Sequence, residues 1–320
     1  MKKISTSKLL NLILVSILVL VGIFGYLYFK RLNPVEVIKA NAPQVSLPEY
    51  EFAFAFYGGD KEFDNPHEVL VFDNSIYVSD YNNKRIGVYD LNGKHQKDIT
   101  SKEMLSPAGM FWDGSKLYVA DSESHQIFIM DPEGLIVDRI KLQKSVLVAD
   151  VAVNQDFLYL LDNKAMTVEK YDLKTKKSVK SFAGYGKEEG KLYFPYSIAV
   201  RDSRVYVADS MNNRINVYDL EGKFIQKLPQ KQEDKDVHLA VPRGLAFDKG
   251  GRLYTAEGVA YRVSALNANG DIVLQVTESQ PLKDDQVQEI TLPTDVTFDD
   301  LGRMYVLEHS FKRVLVYKVK

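Results

Sequence analysis

Residues 195–218 read PYSIAVRDSRVYVADSMNNRINVY, a run of alternating apolar and polar side chains broken at Asp202-Ser203 and at Asp209–Asn213. A period of two marks β-strands, because successive side chains point to opposite faces of a pleated sheet. The breaks hold Asn, Asp and Ser, which tolerate positive φ or bond their own backbone. The stretch therefore predicts an inner strand over Ser197–Val200, a second over Arg204–Ala208 and a third over Arg214–Asp219. Beyond it, Glu221-Gly222 forms a tight turn and Lys223–Leu228 an outer strand.

Working outward, the same phrase recurs. Units begin at Pro66, Pro107, Val148, Pro195, Pro242 and Pro293, and each reaches an acid after its second strand: Asp80, Asp121, Asp162, Asp209, Glu257 and Glu308. The offsets are 14, 14, 14, 14, 15 and 15, and the extra residue falls in the first turn, at Gly250-Gly251 and Leu301-Gly302. Four strands repeated six times specify an all-β, six-bladed β-propeller. The sixth unit ends after its third strand, Val314–Lys320, while YEFAFAFY at 50–57 belongs to no unit. Placing 50–57 as the outer strand of the last blade closes the ring and leaves that blade no missing partner.

Three domains follow: an anchor at 1–29, a Pro-containing spacer at 30–49 and the propeller at 50–320. Leu9–Phe29 is a run of 21 residues without a charge. About 20 apolar residues cross the hydrocarbon of a bilayer, so one transmembrane helix is expected there. A cleaved signal peptide would have a core of about 7–15 residues. Ala40-Asn41-Ala42 resembles a cleavage site, but it lies far from the apolar run and Pro43 follows it. Lys2, Lys3, Lys8 and the amino terminus precede the span while Lys30, Arg31 and Lys39 follow it, a mild lean towards a cytoplasmic N-terminus. The little chain before the span and the large domain after it favour the same answer, a retained signal-anchor with the propeller on the extracytoplasmic side of a cell membrane.

The 320 residues contain no cysteine, which excludes disulfides, thiolate metal sites and cysteine nucleophiles. Five of the 41 basic residues lie in 1–31, where there is no acid, so the remainder holds 36 basic against 43 acidic residues. That net of −7 disfavours a nucleic-acid partner. Neither a P-loop, a dinucleotide fingerprint nor a nucleophile elbow is present.

The phrase at 195–218, and its counterpart at Pro66–Tyr89 with Asn82, Asn83 and Arg85, resembles the NHL repeat. The resemblance covers 50–320 and implies the six-bladed fold. It leaves function open, since similar propellers are protein- or RNA-binding platforms, extracytoplasmic sensors, peptide-amidating lyases or gluconolactonase-like hydrolases. The pattern is broken in places: Val148 replaces Pro, Gln126 and Thr167 stand where other units have Arg, and Glu257 and Glu308 replace Asp.

Candidate site residues come from the repeat phase. The six acids that end the second strands invite a metal, but each can accept backbone N–H bonds across its turn, and four can pair with Arg85, Arg214, Arg262 and Arg313 five residues on, which is the plainer reading. Two positions after each unit start stand Glu68, Gly109, Asp150, Ser197, Gly244 and Asp295. Glu68, Asp150 and Asp295 therefore converge at one mouth of the central channel as oxygen donors for calcium, or, with His309, for zinc. The plainer reading is that short polar residues there bond the backbone locally. One position earlier, His67, Tyr196 and Arg243 make the mouth chemically mixed. Of the other histidines, strand counting puts His95 on the far face and His125 and His238 on the mouth side. Three long connections, Gly184–Phe194, Gln230–Ala240 and Thr277–Glu289, share the mouth face, and recognition concentrates on loops carried by a rigid scaffold. The expected function is a membrane-tethered binding propeller for a protein, peptide or carbohydrate. The alternative is a metal-dependent hydrolase or lyase at the channel mouth.

Overall fold

The computed structural model describes residues 46–143, 146–229, 238–277 and 290–320. The expected anchor at 1–29 and most of the spacer lie outside these residues, as do most of the long connections at Gln230–Ala240 and Thr277–Glu289. Among the described residues no helix is long and apolar enough to cross a membrane.

Six four-stranded antiparallel sheets form the propeller. The first blade consists of Pro66–Phe72, Ser75–Asp80, Arg85–Asp90 and His95–Ile99. The second and third begin at Pro107–Trp112 and Val148–Asn154, and the last three at Ile198–Arg201, Pro242–Phe247 and Pro293–Phe298. In five blades the residue opening the unit pairs directly with the acid that ends the second strand, as Pro66 does with Asp80 and Pro293 with Glu308. The fourth blade departs slightly from expectation. Its inner strand starts at Ile198, one residue late, although Tyr196 N still donates to Ala208 O and Ala208 N to Ser197 O. Its first turn puts Asp202 and Ser203 at φ 49° and 58°, the left-handed pair that a two-residue hairpin requires.

Closure follows the sequence. Tyr50–Phe56 lies antiparallel to Arg313–Val319, with Tyr50 opposite Val319 and Phe56 opposite Val314. Phe56 then packs with Phe63 and Tyr89 of the first blade and with Leu307 and Val316 of the sixth. The chain thus enters the propeller at the end of the last blade remote from Pro293 and Glu308.

The core lies between neighbouring blades. The apolar set Ile127, Ile129, Val151, Val153 and Leu158 joins the second blade to the third, and Ile215, Val217, Leu245 and Leu253 join the fourth to the fifth. Trp112, beside a first turn, stacks on Phe72 with ring centroids 4.1 Å apart, a packing role.

Candidate binding site at the channel mouth

The inner strands are irregular where they begin. Pairing slips between Pro66 and Glu68, between Val148 and Asp150, and between Pro293 and Asp295. A bulge of this kind rotates the following side chain out of the regular alternation. Its effect here is to bring three carboxyl groups to one cavity of about 300 Å³. All six units contribute to its wall, through Glu68, Gly109, Asp150, Ser197, Gly244 and Asp295.

Each carboxyl is held by the next blade. Glu68 Oε2 accepts the backbone N–H of Met110, Asp150 Oδ2 that of Ile198 at 2.9 Å, and Asp295 Oδ2 that of Val69 at 2.9 Å. These amides sit at the same position of three different units, so the acids link inner strands in sequence around the channel. Gly109 and Gly244 make room for this. A Cβ on Gly109 would stand 2.6 Å from the Asp150 Cα, and one on Gly244 only 2.5 Å from the Asp295 Cα.

The electrostatics follow from burial without a counter-ion. Among the described residues no lysine or arginine lines the cavity. Burial, reinforced by the charges of Asp150 and Asp295, holds the Glu68 carboxyl well above the usual carboxylate range. Burial, with the charge of Asp150 added, does the same to Asp295. Burial pushes the Asp150 carboxyl up to about 6. His67, stacked on Tyr81 with centroids 4.8 Å apart, is pulled down to about 4 by burial and secondarily by His309, so it is neutral at pH 7. Burial raises the Tyr196 hydroxyl to about 12.

Of the residues expected at the mouth, His67, Glu68, Asp150, Tyr196 and Asp295 line this cavity. Arg243 stands behind it, its guanidinium 5.2 Å from the centre of the Tyr196 ring. His309 is exposed and does not line it. Among the described residues no group of three or more His, Asp or Glu side chains is arranged to hold a metal ion. The carboxyls meet, and each is engaged with a backbone amide of the next blade rather than with its own strand entry alone.

The six acids that end the second strands act locally. Asp80 accepts the N–H of Asp64 at 2.7 Å and pairs with Arg85 at 2.8 Å. Asp121 accepts the amides of Leu105 and Ser106, and Asp209 that of Tyr193. Glu308 takes the Thr291 amide and Arg313. Each acid thus holds the linker that enters its own blade, a longer reach than bonds within the turn alone. His95 bonds Asp98 on the outer strand, and the His238 carbonyl accepts Arg262.

Sequence reasoning missed Tyr81, Ser122 and Asn163, which also line the cavity. Their common signal is position: each directly follows the acid of its unit, the first residue of a turn that faces the mouth.

No family model matches the sequence. The protein brain tumor of Drosophila melanogaster is 26% identical over 139 residues, 42% of this chain. The match is 12% of that protein, so the chain corresponds to about an eighth of the length of this curated relative. A streptogramin B lyase structure superposes with a TM-score of 0.61 at 12% identity, over 85% of this chain and 98% of that one. A structural-genomics protein of unknown function from Bacteroides thetaiotaomicron gives 0.65 at 17% identity, over 86% and 73%. At these identities the structural likeness establishes the six-bladed fold.

Proposed function

We propose that this chain is a membrane-tethered, extracytoplasmic binding propeller of the NHL type, which recognises a protein, peptide or carbohydrate on the face around the channel mouth. The carrying observation is a set of exposed apolar side chains on this face. Phe194, Met211, Val259, Tyr261 and Phe311 project from linkers and second turns of the last three blades, and Leu147 from the linker of the third. Phe194, Tyr261 and Phe311 are 51%, 49% and 53% exposed. Exposed aromatic side chains that share one face mark recognition surfaces. The tether is supported by the uncharged run at 9–29, and its side by the large domain that follows the run and a slight excess of positive charge before it.

Two experiments test the reading. The full chain in detergent micelles is offered labelled peptide and glycan panels, beside Phe194→Ala, Tyr261→Ala and Phe311→Ala. Loss of retention at an unchanged melting temperature is expected, and full retention by all three variants would refute the assigned face. In cells expressing the full chain, external protease should degrade the propeller while a cytoplasmic marker survives. Protection of both would place the propeller on the other side.

The alternative, a metal-dependent hydrolase or lyase, draws its support from the raised proton affinity of Glu68, Asp150 and Asp295 beside one cavity. Calorimetric titration with calcium and with zinc tests it. Heat of binding that vanishes in Glu68→Gln is the result it requires.

A further inference from the structure

An arginine that joins the acid in holding its linker is missing from one sector of the ring. In the first, fourth and fifth blades the arginine five residues after the acid also donates to carbonyls of its linker. Arg85 reaches Lys61 O at 2.6 Å, Arg214 reaches Glu188 O and Lys191 O, and Arg262 reaches His238 O at 2.6 Å. In the sixth blade Arg313 bonds Tyr57 of the strand-to-blade connection. The second and third blades have Gln126 and Thr167 at that position, in the same register opposite Asp121 and Asp162. Neither residue can supply the guanidinium fork that spans acid and linker.

The same sector carries unsatisfied polar atoms. Among the described residues, six buried side-chain N or O atoms have no hydrogen-bond partner within the protein, and four are Ser124 Oγ, His125 Nδ1, Gln126 Oε1 and Asn163 Oδ1. All four lie on the second turns of the second and third blades or in the residue just after them. Buried polar groups left unpaired are costly and rare, so their concentration here calls for a partner. Beside them a polar groove of about 580 Å³ runs between the second turns of the first and second blades, with Asp64, Ser106, Glu123 and His125 in its walls. It shares Tyr81, Ser122 and Leu147 with the channel-mouth cavity, so the two are continuous. Asn163 lines the mouth cavity itself.

We infer that this groove and the mouth together hold an extended peptide, with one lysine or arginine side chain of the peptide entering the mouth. The inference rests on the binding-platform reading and narrows its ligand. An extended chain presents backbone donors along its length, which suits the unpaired His125 Nδ1 in the groove wall and Asn163 Oδ1 at the mouth. The mouth offers three carboxyl groups and, among the described residues, no lysine or arginine, with Ala108, Val148 and Ala149 beside them. A lysine or arginine buries its aliphatic stem on such a wall while its head meets the charge.

The test immobilises the full chain in detergent micelles and offers two labelled octapeptide pools. Both are random except at the fourth residue, which is Lys in one and Glu in the other. The Lys pool should be retained at least about tenfold better, the scale of one hydrogen-bonded charge. Gln126→Arg supplies the guanidinium that in other blades spans acid and linker carbonyls. It should raise the melting temperature by about 2–4 °C and lower retention of the Lys pool by about tenfold. A merely structural role for the sector would raise stability and leave retention alone. Should Gln126→Arg fold poorly, Glu123→Lys, at an exposed position, reverses the groove wall charge and should lower retention likewise. Equal retention of the two pools overturns the inference, as does a stable Gln126→Arg chain with undiminished retention. Capture of glycans but of neither pool overturns it while leaving the platform reading intact, and capture of nothing overturns both.

Discussion

Asp150 Oδ2 accepts the backbone N–H of Ile198 at 2.9 Å, across the boundary between the third and fourth blades. The bond supports the ring, yet the charge that makes it is buried. Burial moves the Asp150 carboxyl from 3.8 up to about 6. Between those values the folded chain keeps a proton that the unfolded chain has released, so stability falls as pH rises through the window. The penalty is absent below 3.8 and complete above about 6. Asp150→Asn keeps an oxygen acceptor for Ile198 and removes the charge that also burdens Glu68 and Asp295. Its melting temperature at pH 7.5 should rise by about 2–4 °C, equivalent to about 1 kcal/mol. Asp150→Ala leaves the Ile198 amide without this acceptor and should lose about 1–3 kcal/mol. Thermal melts of both variants at pH 5 and 7.5 check this, and a lower melting temperature for the Asn variant at pH 7.5 contradicts it.

His67 works in the opposite direction. Burial first, and His309 second, pull its imidazole from 6.5 to about 4. In that interval the unfolded chain binds a proton that the folded chain refuses, so stability is present above 6.5 and is lost as pH falls towards 4. His67→Phe retains a ring to stack on Tyr81 and cannot titrate. Melts taken from pH 7 to 4.5 should show a shallower acid-side fall than the parent chain. Parallel curves would mean that His67 titrates normally.

Gly109 and Gly244 are expected to be intolerant of any side chain. Both have ordinary backbone angles, so the objection is steric. An added Cβ would meet the Cα atoms of Asp150 and Asp295 at 2.6 and 2.5 Å, and backbone cannot swing aside as a flexible side chain would. Gly109→Ala and Gly244→Ala should each cost about 1–3 kcal/mol. Gly184→Ala meets only the end of Lys191, at 3.5 Å, but sits at φ 91°; its cost would be conformational. Chemical denaturation of the two mouth variants measures the effect, and wild-type midpoints would show that the inner strands have slack.

The fold was legible because its signal is repeated. Six phases of one phrase set the strand pairs, and the unpaired YEFAFAFY could go only to the blade lacking an outer strand. The convergence of Glu68, Asp150 and Asp295 was legible for the same reason, since position within a repeat is position around an axis. Their engagement was harder to read. Whether a carboxylate awaits a cation or takes an amide from the next blade depends on bulges at Pro66, Val148 and Pro293, which shift a side chain without changing composition. Tyr81 and Asn163 escaped notice because they follow conspicuous acids and share no residue type with each other. The sector lacking its arginines was visible as Gln126 and Thr167, but only coordinates show that buried polar atoms go unpaired beside them.

Closure by Tyr50–Phe56 makes a final prediction about assembly. This strand covers Val314 and Val316, both fully buried, and its Phe56 ring lies 6.0 Å from Phe63 and 5.0 Å from Tyr89. Removing 50–56 would expose Arg313–Val319 as a new edge with unpaired amides and an apolar face, a template for pairing with another chain. A variant with Asn at both Phe54 and Phe56 retains the backbone ladder but loses the apolar contact, at a cost of about 3–5 kcal/mol for the buried Phe56 ring. The deletion should therefore elute from size exclusion as aggregates, while the double substitution stays monodisperse with a lower melting temperature. Lys318→Val, at an exposed position of the partner strand Arg313–Val319, serves as a control, with a change within about 0.5 kcal/mol. A monodisperse deletion variant melting with the parent chain would show that the ring holds without this strand.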